Sequence, residues 1–315
     1  MAEFNEHDGR GGRERGRGGR DMRRPNRDEQ REERRREAAR HTGLMKAAFG
    51  RETDEAIENA RIYEEGEGRS LLWGAEAAAA AEAAKRAAEM AEADAEGAQA
   101  GNEEAREAAE IAEGAAEEAA ESDAVAPTAT ETTVKVVTSF APEALYRDAT
   151  GKTMIVDPGA FTRPGGAYED GAFGPEQILC SESNLYPILV AHKRDFYDKN
   201  RDYRRGSLFT DRALYVPEVL FSRGGDVRRA DVLVIAEPVR AFALENHRSE
   251  RECDKALADR IEAIFRVAAA NGAETLIMGA FGCGRNGYPV EQVIELIQNW
   301  IAEHPGAVPN VVFAV

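Results

Sequence analysis

The chain has 315 residues, with 41 Lys and Arg against 58 Asp and Glu and a formal net charge of −17. This acidic balance argues against a general nucleic-acid-binding protein, because such proteins need an excess of basic residues to neutralise phosphates. Three cysteines in so long a chain are typical of a reducing compartment. No apolar run is long enough to cross a membrane and no apolar leader begins the chain, so we expect a cytoplasmic protein.

The first 40 residues contain thirteen arginines, ten acidic residues and almost no apolar side chain. A segment without apolar surface cannot offset the entropy lost on ordering, so we predict a disordered tail over residues 1–33. Alternating charges from Glu29 to Arg40 are compatible with a solvated helix. The Arg-Gly pairs of the tail are of a kind that sometimes contacts RNA, but the interleaved acidic residues favour a plain solvated tail.

Residues 34–74 contain two short amphipathic patterns, one from His41 to Phe49 and one from Thr53 to Tyr63. Thr53 is a suitable N-cap for the second pattern. We predict two helices that pack on a core encoded later in the chain.

The segment 75–131 is rich in alanine and glutamate. Within residues 75–124, twenty-four residues are alanine, fifteen are acidic and three are basic. Alanine and glutamate favour helix, but Met90 and Ile111 are the only sizeable apolar side chains of that stretch. We predict an exposed, intermittently helical insertion, broken near Gly97, Gly101 and Gly114. A charged arm that binds a partner is the alternative.

The folded core is predicted over residues 132–315, where β-branched runs alternate with helical patterns. The predicted strands are Val134–Thr138, Thr153–Val156, Leu214–Phe221, Val232–Ala236, Thr275–Met278 and Val311–Val315, and the predicted helices are Pro175–Tyr197, Glu252–Asn271 and Pro289–His304. Strands alternating with helices of this length predict an α/β sheet with helices on both faces.

Two glycine-rich loops each leave a predicted strand and lead into a helix. Loop one (residues 164–170) contains Gly165, Gly166, Ala167 and Tyr168, and loop two (residues 279–284) contains Gly279, Phe281, Gly282, Cys283 and Gly284. Either loop alone is compatible with simple turn chemistry. Two of them at the carboxyl ends of strands favour a diphosphate ligand, because glycines let successive backbone N–H groups converge on an anion.

Other candidate residues have simpler interpretations. Cys283 lacks a neighbouring histidine and is interpreted as structural. Tyr168 and Phe281 have the shape to stack on adenine or ribose, and buried packing is an equal alternative. Arg240 and Arg248 are interpreted as surface arginines rather than phosphate ligands. The histidines show no zinc spacing, so we predict neither a metal nor a cofactor.

These motifs resemble a known family. Loop one is followed by Pro175-Glu176-Gln177, Leu179-Cys180 and Leu185-Tyr186. This order resembles the signature of microbial-type poly(ADP-ribose) glycohydrolases, in which three glycines precede a Gln-Glu-Glu triplet. Loop two resembles the second phosphate loop of that family. The resemblance extends from about Arg34 to Val315 apart from the insertion, and implies a three-layer α/β/α macrodomain with a mixed sheet that binds ADP-ribose.

The resemblance also implies a site with four departures. The second glutamate of the family triplet is the general acid of glycosidic cleavage, and Gln177 stands at that position. Ala167 replaces the third glycine, Asn286 replaces an aromatic residue, and Asp157 replaces an asparagine at the strand end. Glu176 matches the first glutamate, which helps to position the ribose and is a candidate substitute acid.

Three functions stay open from the sequence. The first is an enzyme that removes ADP-ribose from poly(ADP-ribose) or from an ADP-ribosylated protein, with Glu176 and Gln177 at the reacting bond. The second is an inactive relative that only binds ADP-ribose through Asp157 and the two loops. The third is an interaction protein that works through its charged low-complexity arms. We expect a monomer.

Overall fold

The computed structural model describes residues 26–97 and 131–315, so the Arg-Gly pairs of the predicted tail and most of the predicted insertion lie outside the described residues. A mixed sheet of seven strands forms its centre, in the order β1-β4-β5-β3-β6-β7-β2. The strands are β1 Arg61–Tyr63, β2 Thr133–Val137, β3 Thr153–Asp157, β4 Ala213–Arg223, β5 Asp226–Ile235, β6 Thr275–Met278 and β7 Asn310–Ala314.

Ten α-helices lie within the described residues. They are α1 Arg27–Ala48, α2 Gly50–Glu58, α3 Glu67–Ser70, α4 Gly74–Gly97, α5 Ala141–Arg147, α6 Pro175–Ser181, α7 Leu185–Ala191, α8 Arg240–Glu245, α9 Glu250–Ala270 and α10 Val290–Glu303. Short 3₁₀ turns cover Pro164–Asp170 in loop one and Gly284–Asn286 after loop two. No helix in these two ranges is long and apolar enough to cross a bilayer.

Alternation along the strands builds two cores, one on each face of the sheet. On β3, Met154 and Val156 face the layer formed by α9 and α10, whereas Ile155 faces the layer that includes α6 and α7. Successive strand residues point to opposite faces, so strands covered on both sides are apolar throughout. The predicted α/β class, the mixed sheet, the three layers and the helical N-terminal extension are confirmed.

Each of the six strands predicted from the core sequence is present, as are the two long helices α9 and α10. Helix α9 begins with a capping box, in which the Ser249 hydroxyl accepts from the Glu252 backbone N–H. It ends at Ala270, one residue before the predicted end at Asn271, and the following Gly272 lies in the left-handed region.

The helix predicted from the pattern Thr53 to Tyr63 was wrong over its last residues. Helix α2 ends at Glu58, and Arg61–Tyr63 forms the edge strand β1, antiparallel to β4. Thr53 lies inside α2 rather than at its start, and its hydroxyl donates to the Phe49 carbonyl. The pairing of β1 with β4 outweighs the weak local preference for helix.

The predicted helix from Pro175 to Tyr197 is broken into α6, α7 and a π-helical turn at Lys193–Tyr197. The break lies at Ser183 and Asn184. Asn184 Oδ1 accepts from the Leu220 backbone N–H, and the Ser183 hydroxyl donates to the Leu179 carbonyl. Asn184 thus ties the chain to β4 and Ser183 caps the end of α6, so the helix does not continue through them.

The N-terminal arm packs on loop one. Helix α1 begins at Arg27, within the segment predicted as a disordered tail, so that boundary was wrong for residues 27–33. Arg31 Nε donates to the Asp170 carbonyl over 2.8 Å, and Arg34 Nε donates to the Gly171 carbonyl over 2.9 Å. The arm therefore contributes to the scaffold that holds loop one.

The start of the Ala/Glu-rich segment also packs on the core, contrary to the prediction that the whole insertion is exposed. Helix α4 runs from Gly74 to Gly97. Glu76 in its first turn forms an ion pair with Arg266 of α9 over 2.9 Å, and Ala77 is buried. The structure describes α4 as far as Gly97, and Gly101, Gly114 and Ile111 lie outside the described residues.

Substitution of Gly171 tests the packing of α1. Its φ of 73° disfavours a side chain, and a Cβ there would overlap the Arg31 carbonyl oxygen. We expect Gly171→Ala to lower the free energy of unfolding by about 1–2 kcal/mol from backbone strain and by a further ~1–3 kcal/mol from the overlap. Urea denaturation of the wild type and of the variant measures the sum of these two losses.

Gly224→Ala is the matched control, because Gly224 has a φ of 60° and open space around its Cβ position. Gly224→Ala should therefore lower the free energy of unfolding only by the contribution of backbone strain. Equal losses in the two variants would contradict the packing of α1 against Gly171.

Candidate active site

Five strands of the sheet run in the same direction, so their carboxyl ends meet at one edge. At this edge a cleft of about 830 Å³ opens between the strand ends, α5, α6 and loop two. A crevice at the carboxyl ends of parallel strands is where α/β sheets bind ligands. The cleft is therefore the candidate site.

Loop two forms one wall of the cleft, through Gly279, Phe281 and Cys283. Gly282 does not face it: a Cβ at Gly282 would lie 3.2 Å from both Leu257 and Tyr288, inside the core. Gly282, one of the loop-two glycines from which a diphosphate ligand was predicted, therefore does not line the cleft, and its N–H donates to Glu237. The glycine is required because its φ is 77° and its Cβ position is filled. Gly284 does not line the cleft either.

Sequence reasoning missed Glu237, which follows the end of β5 and lines the cleft. Its carboxylate accepts from the Gly282 backbone N–H over 2.7 Å and from Asn286 Nδ2 over 2.6 Å. Burial raises the pKa of Glu237, and these two hydrogen bonds oppose the shift. An acidic residue immediately after a buried strand was the available signal. Asn286 thus anchors the carboxylate that holds loop two.

Arg285 is a second residue that sequence reasoning missed. It is exposed, lines the cleft and forms no ion pair with any residue that the structure describes. Arg240 and Arg248, by contrast, are paired with Glu250 and Glu252, in agreement with their interpretation as surface arginines. Arg285 is thus a cation available to an anionic ligand in the cleft.

Loop one is a run of three left-handed residues, with φ values of 64° at Gly165, 52° at Gly166 and 72° at Ala167. Ala167 is strained, because a Cβ disfavours this conformation by roughly 1–2 kcal/mol. Gln177 stabilises loop one through two hydrogen bonds. Its Nε2 donates to the Gly165 carbonyl over 3.0 Å and to the Gly166 carbonyl over 3.2 Å. The amide at position 177 therefore serves the loop as a hydrogen-bond donor.

Glu176 lies beneath the same loop, with 4 % of its surface exposed. Its Oε2 accepts from the Ala160 backbone N–H over 2.9 Å and occupies the space into which a side chain at Gly166 would point. Its Oε1 has no partner among the described residues. Burial, and next the carboxyl of Asp157, raise the pKa of Glu176 well above its ordinary value. This shift favours the protonated carboxyl, which is the form that can donate a proton.

Asp157 ends β3 and is fully buried. Neither of its carboxyl oxygens has a hydrogen-bond partner in the described part of the chain. Burial, with a smaller contribution from Glu237, raises the pKa of Asp157 to about 8. Asp157 and Glu176 do not line the cleft, whereas their chain neighbours Val156, Pro158 and Pro175 do.

Tyr168 and Gln177 line a second cavity of about 420 Å³, between α6 and α1, rather than the large cleft. The Tyr168 ring is buried and packs against Tyr186 at 5.0 Å between ring centres. The structure thus separates the predicted site residues into two groups. Gly279, Phe281 and Cys283 line the cleft, whereas Asp157, Glu176, Gln177 and loop one do not.

The cysteines match their structural interpretation. Burial raises the pKa of both Cys180 and Cys283, so neither thiol is activated as a nucleophile. Across residues 26–97 and 131–315, no group of three or more His, Cys, Asp or Glu side chains has the arrangement of a metal site.

Residues 40–224 match the family model described as microbial-type PARG, catalytic domain, where PARG is poly(ADP-ribose) glycohydrolase. This match spans more than half of the chain. The chain belongs to the microbial-type PARG family. A comparison with curated proteins finds no match.

Solved PARG structures share the fold. The enzyme from Thermomonospora curvata has 21 % identity and a TM-score of 0.64, over 90 % of this chain and 93 % of that one. Its structure bound to the inhibitor ADP-HPD has 20 % identity and a TM-score of 0.61 over the same shares. PARG from Deinococcus radiodurans in complex with ADP-ribose has 19 % identity and a TM-score of 0.57, over 84 % of this chain and 90 % of that one.

The raised pKa of Asp157 makes a prediction about the stability of this PARG-family domain. A carboxyl with a folded pKa of about 8 and an ordinary value of 3.8 stabilises the fold below pH 3.8, and that stabilisation is lost as the pH rises towards 8. Asp157→Asn removes this dependence. We therefore expect the variant to gain stability relative to the wild type as the pH rises from 4 to 8.

Urea denaturation across this pH range measures the difference. Glu65→Gln changes a partly exposed carboxylate that is paired with Arg205, and is the control. A stability difference between Asp157→Asn and wild type that does not grow with pH would contradict the buried, protonated state of Asp157.

Proposed function

We propose that this chain binds ADP-ribose in the cleft and hydrolyses the O-glycosidic bond that joins ADP-ribose units in poly(ADP-ribose), or joins ADP-ribose to a modified protein. One observation carries the proposal: Glu176, a buried carboxyl with a raised pKa, lies beneath loop one at the carboxyl edge of the sheet. Glycosidic cleavage requires such a proton donor near neutral pH.

Features of the cleft support ADP-ribose as the ligand. Its volume of about 830 Å³ suits a dinucleotide-sized molecule. Gly279 leaves the backbone of loop two open to close approach, and Arg285 supplies a positive charge to a diphosphate. The related PARG from Deinococcus radiodurans was solved in complex with ADP-ribose.

The proposed reaction assigns the acid role to Glu176. Its proton passes to the departing ribose oxygen as the carbon–oxygen bond breaks, and the electron pair of that bond stays on the oxygen. The resulting carboxylate then takes a proton from the water that attacks the sugar carbon. Gln177 has no proton to exchange, and its amide is engaged by loop one.

Loop one controls access to this carboxyl. Gly166 contacts Glu176, and the side chain exposes only 4 % of its surface. A substrate therefore reaches Glu176 only after loop one moves. The strained backbone at Ala167 lowers the cost of leaving the closed conformation.

Glu176→Gln tests the acid role. The amide oxygen of glutamine can still accept from the Ala160 N–H, so folding and ADP-ribose binding should be retained. Release of ADP-ribose from poly(ADP-ribose), followed by chromatography, should fall by about 10²–10⁴-fold. Undiminished release with intact binding would contradict the assignment.

Gln177→Glu is the matched comparison, because it places a carboxyl at the neighbouring position. A carboxylate there faces the Gly165 and Gly166 carbonyls, to which it cannot donate, so we expect no gain in release. A large gain would instead assign the acid role to position 177. A wild type that binds ADP-ribose without releasing it would support a binding protein that lacks turnover.

Arg285→Ala tests the ligand site separately from the chemistry. Loss of a charge-assisted contact to phosphate should weaken ADP-ribose binding about tenfold or more, as measured by calorimetric titration. Arg251→Ala, which removes an exposed arginine that does not line the cleft, is the control. Equal affinity in both variants would exclude Arg285 as a diphosphate ligand.

We further propose that the protein is a cytoplasmic monomer. Its three cysteines are free, in keeping with a reducing compartment.

A further inference from the structure

Glu237 places a carboxyl group in the cleft that the proposed reaction does not use. It is half-buried, follows the end of β5 and lines the cleft. Its Oε1 accepts from the Gly282 backbone N–H over 2.7 Å, and its Oε2 accepts from Asn286 Nδ2 over 2.6 Å. Each carboxyl oxygen thus has an N–H donor, an arrangement that stabilises the charged carboxylate.

The N–H of Gly282 belongs to loop two, the glycine-rich loop from which a diphosphate ligand is expected. A backbone N–H in such a loop is an anion-binding group. Here the anion that it binds is a carboxylate of the chain itself. Glu237 therefore fills one anion-binding position of loop two before any ligand enters the cleft.

No ion pair cancels the charge of Glu237. Of the described residues that line the cleft, the charged ones are Glu143, Glu237 and Arg285. Glu143 pairs with Arg147 over 2.9 Å and with Arg223 over 3.6 Å. The two donors to Glu237 are neutral groups, and Arg285 lowers its pKa through charge alone, without an ion pair between them.

The other titratable groups around Glu237 add no positive charge. Burial, and next Glu237, raise the pKa of Asp157 at the end of β3 to about 8 and also raise the pKa of Cys283 in loop two. Both shifts favour the neutral form of these groups. Burial raises the pKa of Glu237 itself, and its two hydrogen bonds and then Arg285 oppose the rise. Above that pKa, a ligand in the cleft meets one carboxylate and one guanidinium.

The number of negative charges on a ligand decides how it interacts with these two groups. In ADP-ribose the diphosphate is esterified at both ends, so each phosphate carries a single charge. A nucleotide such as ADP ends in a free phosphate, which carries an additional charge at neutral pH. Arg285 attracts either ligand, but the Glu237 carboxylate repels the additional charge. A repulsive group of this kind lets a site discriminate between otherwise similar ligands.

We propose that Glu237 is a specificity-determining residue that favours diphosphates esterified at both ends over nucleotides that end in a free phosphate. The inference rests on the proposed function only for the position of the diphosphate beside loop two. It names the class of ligand that the cleft admits and adds no step to the reaction.

A matched pair of ligands isolates the effect of charge. ADP and its β-methyl ester share the nucleoside and both phosphates, but the ester carries one negative charge fewer. In calorimetric titration at neutral pH, the ester should bind the wild type more tightly than ADP does. The ratio of these two affinities should fall about tenfold in Glu237→Gln. The glutamine keeps an acceptor for the Gly282 N–H and removes only the charge.

Glu143→Gln is the matched control, because Glu143 also lines the cleft but is already neutralised by Arg147 and Arg223. The affinity ratio of this variant should stay close to that of the wild type. An unchanged ratio in Glu237→Gln, or an equal fall in Glu143→Gln, would overturn the inference.

The amide of Gly282 provides a readout that needs no ligand. Protein labelled with ¹³C at the Phe carbonyl and with ¹⁵N in Gly selects the Phe-Gly pairs, which place Gly50, Gly174 and Gly282 after a phenylalanine. An amide proton bonded to a carboxylate should shift upfield in NMR spectra as that carboxylate is protonated. This titration should disappear in Glu237→Gln, which identifies the Gly282 resonance. The absence of any titration that the variant removes would overturn the inference.

The inference and the proposed function fail in different ways. A wild type that binds ADP-ribose without hydrolysing it would refute the hydrolase activity, and the affinity ratio would still decide the role of Glu237. An unchanged ratio would overturn that role and leave ADP-ribose binding and hydrolysis intact. If ADP-ribose, ADP and the ester all fail to bind the wild type and Glu237→Gln, the ligand site is refuted and the inference with it.

Discussion

The parallel pairing of β3 with β5 on one side and β6 on the other determines where the site forms. In this register Asp157 pairs with Val234, one residue before β5 ends, and Ile155 pairs with Ile277 of β6. The same pairing brings Asp157, Glu237 and loop two to one edge. Because β3 is covered by helices on both faces, the carboxyl at its end is buried, and burial favours its protonated form.

The N-terminal extension packs against the sheet and loop one and so helps to hold the site in place. Strand β1 closes one edge of the sheet, and Arg69 of α3 pairs with buried Asp211 over 2.6 Å. The buried guanidinium of Arg212 reaches back to Glu64 over 2.7 Å. Through α1 the extension also contacts loop one. Loop one is thus held from outside by α1 and from beneath by Gln177, while Ala167 stores strain within it.

At the positions that depart from the family signature, the neighbouring groups suit the residues that this chain has there. Position 177 has lost its carboxyl, and its amide donates to two loop carbonyls that a carboxylate could not satisfy. Asp157 stands where the resemblance implies an asparagine, and its carboxyl is fully buried. Asn286 anchors Glu237, which in turn holds the backbone of loop two. What each of these side chains can do is therefore set by the groups that it contacts, and the family signature alone does not predict it.

The sequence by itself determined the six core strands, the helices α9 and α10, the two glycine loops and the family, because periodicity, helix caps and glycine runs are local signals. Only the tertiary structure decided the edge strand β1, the break at Asn184, the inward direction at Gly282, the contacts of Glu237 and the burial of Asp157. Each of these depends on a partner distant in the chain: Asn184 bonds to Thr53, 131 residues earlier, and Glu237 bonds to Gly282, 45 residues later. Burial and the pKa shifts that it causes arise from packing, and no local pattern encodes them.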